Sequence, residues 1–221
     1  MGLAISVGTL ADFLANDPEG AEWFEGDFEI VNQVLAAAGL PPHAEPRELP
    51  ALDSRASLDG FPYAFIHYLR RAYAHSVVTP GWKATPVEDG VDPSEDPAIQ
   101  AALDVAESHL ICHSDAEGFY VPVEFEDVLF SESESEEEAL TGGMLGSSYR
   151  LRDELVQVAP ALGIALTDGD LSDEEAARID ALAEKEEAED DEGLSREYAS
   201  WLLLYEMARL SIAHKTAIVF S

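Results

Sequence analysis

The segment "HLICHSDAEGFYVPVEF", His109 to Phe125, concentrates the residue types that do chemistry. Two histidines, the only cysteine, an aspartate and a glutamate fall between positions 109 and 117. His113 with Asp115 or Glu117 has the makings of a general base and the carboxylate that orients it, as in a hydrolase-like enzyme. Those three residues are the candidate catalytic set. The same stretch also suits a β-turn, because an Asp115 side chain bonds amides two residues on and Gly118 tolerates a positive φ. A zinc site fits poorly. On a strand, His109 and His113 would lie about 13 Å apart at roughly 3.3 Å per residue, too far for one metal. On a helix they would meet, but "HLICH" lacks the glutamate of a metalloprotease helix. Cys112 has no neighbouring cation to lower its thiol pKa and reads as packing.

A second group lies in "FPYAFIHYLRRAYAHSVV", residues 61–78. His67, Arg70, Arg71 and His75 sit close together in a chain otherwise poor in cations, and are candidates to contact an anion or a partner. The competing expectation is that they pair with carboxylates of the chain itself. Glu206 and Arg209 are similarly spaced for an internal i,i+3 pair on an apolar helix. Two further motifs fail. "GGMLGSSYR" has neither the lysine of a phosphate-binding loop nor the pattern of a nucleophile elbow, and reads as a hinge with Ser147 or Ser148 as a cap. "TDGDLSDEE" laid on a calcium loop from Asp168 puts Asp173 where glycine is required and Ile179 where glutamate is required. No metal and no cofactor is expected.

The elements that must position these groups follow from periodicity and end signals. Short strands are expected at 3–7, 109–113, 119–123 and 216–220. Asp17 followed by Pro18 opens a helix, and Gly39 with Pro41 stops the one carrying Phe28, Val31 and Leu35. Residues 61–78 form one helix, and Asp96-Pro97 starts another. Ser172 and Glu175 form a capping box. "REYASWLLLYEMARLSIAH" is apolar on most sides and reads as a buried, central helix. Isolated hairpins are marginal, so strands from both ends of the sequence should join one sheet. The expectation is a single helix-rich α+β domain over 1–221 with a small, mostly antiparallel sheet, and with acidic mobile loops near 84–97, 131–143 and 185–194.

Charge decides the classes of partner. The 221 residues carry 45 Asp and Glu against 12 Lys and Arg, a formal net charge of −33. Such a field repels nucleic acid and anionic membrane. No apolar run reaches the roughly 20 residues of a membrane span, and the first residues lack the basic region of a secretory signal. With one cysteine no intrachain disulfide forms, and cytoplasm is the expected compartment. Three functions remain. The first is a non-enzymatic binding or regulatory protein whose acidic surface is adapted to salt. The second is the hydrolase-like enzyme built on His113. The third is an acidic inhibitor or immunity-type protein that masks a basic protein partner. Oligomeric state leaves no trace in the sequence.

Overall fold

In the computed structural model, residues 2–131, 139–184 and 193–221 are described. The expected acidic loops at 131–143 and 185–194 fall largely on 132–138 and 185–192, outside the described residues. The chain begins with strand β1 (Gly2–Val7), then helices α1 (Thr9–Asn16) and α2 (Pro18–Ala37). After an irregular stretch come β2 (Gly60–Pro62), α3 (Phe65–Val78), a 3₁₀ turn at Pro93–Glu95, α4 (Pro97–Leu103) and α5 (His109–Cys112). The remainder is β3 (Gly118–Val121), β4 (Leu129–Phe130), β5 (Met144–Ser147), α6 (Ser148–Val158), β6 (Leu166–Thr167), β7 (Asp170–Leu171), α7 (Asp173–Ala183), α8 (Ser195–His214) and β8 (Ile218–Phe220).

Six strands form one sheet in the order β2-β1-β8-β3-β5-β4. Every pairing is antiparallel except β3 with β5. Side chains alternate across this sheet with period two. Phe119, Val121, Leu145, Ala217 and Val219 face α1 and α2, meeting Leu10, Phe24, Phe28, Val31 and Leu35. Leu3, Ile5, Tyr120, Ile218 and Phe220 face the other way, onto α3, α6, α7 and α8. The result is an α+β domain in three layers, with the sheet between two helical layers of unequal depth. Burying each of Phe24 and Phe28 contributes about 1.5–3 kcal/mol. α8 lies in the thicker layer, with Trp201, Leu204 and Ala208 fully enclosed.

End signals place several elements as expected. Asp17 caps α2 by accepting from the Gly20 amide at 3.2 Å, with Pro18 in the first turn. Ser172 caps α7 by accepting from the Glu175 amide at 3.1 Å. The failed calcium loop is instead the β6–β7 hairpin, turned by Asp168 and Gly169 at φ 53 and 83, a primed turn.

Other expectations need correction. Residues 109–113 are not a strand. Ser108 accepts the Ile111 amide at 3.0 Å and caps a single helical turn, α5, so local capping overrides the β-rich flanks. The strand expected at 119–123 runs over Gly118–Val121, ending before Pro122, which has no amide to give a ladder. The strand expected at 216–220 is shortened to Ile218–Phe220. The helix expected from 61 begins at Phe65, because Gly60–Pro62 pairs with β1 as an edge strand. "GGMLGSS" is no hinge, since Met144–Ser147 forms β5, with Ser147 capping α6.

Candidate functional site

The turn after α5 does not assemble the three expected groups. His113 is buried, its ring stacked on Tyr120 at 4.1 Å and edge-on to Phe220 at 4.8 Å. Its Nδ1 and Nε2 face the carbonyls of Ser114 at 2.9 Å and Phe119 at 3.2 Å. Burial pushes the imidazole down to about 4, so at neutral pH it is an uncharged ring among backbone acceptors. Gly118, at φ 129, is required here, because a Cβ would lie 3.0 Å from the His113 ring. Asp115 turns away and meets His67 at 3.0 Å, while Glu117 is exposed. His109 is separately placed. Its Nδ1 accepts the Ser147 amide at 2.9 Å, which makes Nε2 the donor to the Glu126 carbonyl at 2.9 Å.

α5 is held at both ends by charges distant in sequence. Glu154, on α6, accepts from the His109 amide at 2.8 Å, the Leu110 amide at 2.7 Å and the Ser108 hydroxyl at 3.0 Å. Burial raises this carboxyl to about 7 against the pull of those donors. At the other end the buried Arg70 guanidinium donates to the Leu110 carbonyl at 2.8 Å and the His113 carbonyl at 2.5 Å. Glu154 thus takes up the free amides of the first turn and Arg70 the free carbonyls of the last. These contacts anchor the 109–125 segment and leave Arg70 engaged within the core.

The other expected contacts on α3 also have internal partners. Arg71 and His75 converge on Asp96, at 2.9 and 3.0 Å, and His75 stacks on Trp82 at 4.7 Å. Burial pushes the Asp96 carboxyl up, but the Ala98 amide with His75 and Arg71 outweighs it and holds the group low. His67 is lowered by burial despite Asp115. Glu206, fully buried on α8, accepts from Arg209 at 2.7 Å and from Arg55 at 2.6 Å. Sequence reasoning found the Arg209 partner and missed Arg55, which lies in the irregular stretch before β2.

The same accounting extends over the chain. Of the 12 Lys and Arg, Lys185 lies outside the described residues. Arg47 pairs with Glu25, Arg150 with Asp153, Arg152 with Asp170 and Arg178 with Glu175. Lys83 donates to the Pro160 carbonyl and Lys215 to the Tyr149 hydroxyl. Arg196 lies over the Tyr68 ring and donates to its hydroxyl. Every described Lys and Arg thus has a partner within the molecule. Among the described residues no group of three or more His, Cys, Asp and Glu is placed to hold a metal ion.

What remains outward is acidic, and α2 shows it best. Its 20 residues include no basic side chain. Glu19, Glu22 and Glu29 are exposed, and Glu25 lies on the same stripe. Asp27 is half-buried, its carboxyl raised by that burial and partly offset by a hydrogen bond with Thr141. Among them Trp23 stands 82% exposed, one position off the buried stripe that includes Phe24. Gly26, in the middle of the exposed face, has open space where a Cβ would be. It costs the helix about 1 kcal/mol relative to alanine. The signal for Trp23 was available in sequence: continuing the Phe28, Val31, Leu35 stripe backwards reaches Phe24 and leaves Trp23 outside.

The class defined by these observations is an α+β domain with its described cations engaged within the molecule and a surface left largely to carboxylates. A protein-family model described as "Putative DNA-mimic protein" matches residues 1–220, and the chain belongs to that family. No curated protein and no solved structure matches the chain. Of the three functions read from the sequence, membership favours the acidic protein that masks a basic partner over the salt-adapted regulator placed first. Among the described residues no helix is long and apolar enough to cross a membrane.

Proposed function

We infer that this protein occupies the DNA-contacting face of a basic, DNA-binding protein and thereby keeps DNA off it. The observation that carries this reading is the internal engagement of the described Lys and Arg side chains, which leaves outward carboxylates such as Glu19, Glu22 and Glu29 without opposing charge. The spacing on α2 is suited to the task. Its exposed carboxylates Glu19, Glu22 and Glu29, unpaired among the described residues, span ten helical steps, about 15 Å at roughly 1.5 Å per residue. That is about one unopposed charge per 7.5 Å, close to every second phosphate along a DNA strand at roughly 3.4 Å each. A surface that binds phosphates by lysine and arginine therefore meets carboxylates spaced at about two phosphate steps. Association of this kind is electrostatically steered and weakens with salt.

The test is displacement. DNA-binding proteins held on immobilised duplex DNA are challenged with the acidic protein, and the protein released is identified and purified. Its complex with a fluorescent duplex is then titrated by anisotropy. The expected result is release of the duplex by near-stoichiometric amounts of the protein at about 50 mM salt, with the effect falling steeply by about 200 mM. Failure to displace duplex from any purified DNA-binding protein, even in large molar excess at low salt, would overturn the reading.

A further inference from the structure

The charge on α2 is explained by mimicry, but Trp23 and Gly26 are not. An isolated apolar side chain on a surface is ordinary. Trp23 differs in being the largest side chain available, placed at 82% exposure on the most acidic face of a helix that otherwise buries its aromatics. Gly20, one turn before it, is explained within the molecule: a Cβ there would come 2.6 Å from the capping carboxylate of Asp17. Gly26 has no such explanation. It is helical, takes no positive φ, and nothing lies within 4 Å of its missing Cβ. Its neighbours at three and four residues are Glu22, Trp23, Glu29 and Ile30. The helix therefore carries a bare patch of backbone, bordered by an indole and two unopposed carboxylates. That arrangement does nothing for this fold and admits close approach from outside.

We propose that Trp23, with the clearing at Gly26 and the carboxylates Glu22 and Glu29, is the anchor by which the protein grips an arginine on the DNA-contacting face of its basic partner. The proposal rests on the DNA-mimic reading and adds its point of contact. Charge complementarity selects the occupant, since no basic side chain lies on this helix and the exposed acidic rim demands a cationic surface. Arginine rather than lysine fits the site. Its planar guanidinium stacks on the indole face while its edge donates to a carboxylate. Gly26 lets the arginine stem lie against the helix. A second exposed aromatic, Phe130 at 51%, stands on β4, the strand against which α2 rests. Interfaces commonly set such aromatic anchors within a polar rim.

The experiment uses the whole protein and two defined probes, octa-arginine and octa-lysine peptides, titrated by calorimetry at about 0.3 M salt to suppress unspecific attraction. Trp23→Ala should bind octa-arginine about tenfold more weakly than wild type, with octa-lysine little changed. Gly26→Gln keeps the charge and should raise Tm, yet weaken octa-arginine binding several-fold, so that binding and stability move in opposite directions. By NMR the exposed Trp23 indole N–H should shift on adding octa-arginine, while the buried Trp201 N–H should not. Equal octa-arginine affinities of wild type and Trp23→Ala would overturn the proposal. Displacement of duplex DNA by Trp23→Ala, undiminished from wild type, would overturn the anchor and leave the mimic standing. Failure of wild type to displace duplex speaks against the mimic itself.

Discussion

α2 and α8 are both 20 residues long, and they have opposite surroundings. α8 is enclosed on nearly every side, and its buried Glu206 is met by Arg55 and Arg209. α2 buries one stripe and turns the other to solvent with its carboxylates mostly unanswered. In the core a charge exists only with partners in place. On α2 only Glu25 is so met, by Arg47, and Glu19, Glu22 and Glu29 remain outward among the described residues. The contrast teaches that a buried charge on α8 is matched by cations from other elements, and that the acidic excess is a property of the outside.

The contrast can be broken or sharpened by substitution. Trp201→Ala, deep in α8, removes an indole that donates to the Leu155 carbonyl at 2.8 Å and stacks on Tyr205. A loss of about 4 kcal/mol is expected from denaturant melts. Glu206→Gln leaves two arginines facing a neutral amide and should cost about 3 kcal/mol. A loss under 1 kcal/mol there would mean that α8 needs its ion pairs no more than α2 does.

A pH series comes next in size. The folded pKa of His113 is about 4, below its ordinary 6.5. Its contribution is complete above 6.5 and lost as pH falls towards 4, up to about 3 kcal/mol. Glu154 and Glu197 are raised by burial from 4.5 to about 7, so their contributions run the other way, present below 4.5 and lost as pH rises through 7. Between pH 4.5 and 6.5 the terms oppose each other. His113→Phe should reduce the acid-side loss, leaving the share contributed by His67 and His109, which burial also lowers. An unchanged profile would show that the histidine is not the buried neutral ring described. The smallest effect belongs to α2. Glu22→Gln and Glu29→Gln should each alter stability by less than about 0.5 kcal/mol, stabilising at low salt by easing self-repulsion. A loss above 1 kcal/mol at either of them would give that carboxylate a structural role.

What the sequence revealed was whatever its near neighbours decide. Asp17 with Pro18, Ser172 with Glu175 and the encirclement of α8 by apolar residues all act within one helix, and all were legible. α5 was not, because the groups that hold its turn, Glu154 and Arg70, come from α6 and α3. β2 and β5 were missed for a related reason: each is short, and its ladder partners lie far along the chain. At the site, His113 drew notice by residue type, whereas its burial by Tyr120 and Phe220 depends on β3 and β8. The surface charge is plain from composition, but which carboxylates stay unopposed depends on where the fold sends each described cation.

The position of β8 has a kinetic consequence. It lies between β1 and β3, so the last strand in the sequence is an interior strand of the sheet, and Ile5 opposite Phe220 closes a loop of more than 200 residues. Until it docks, β2–β1 and β3–β5–β4 are two fragments, each with an open edge able to pair with a neighbouring molecule. A closure this long makes folding slow. Throughout that interval the nascent chains share a formal charge of −33, and mutual repulsion holds their open edges apart. The same acidity that marks the finished surface thus also keeps the unfinished chain from aggregating.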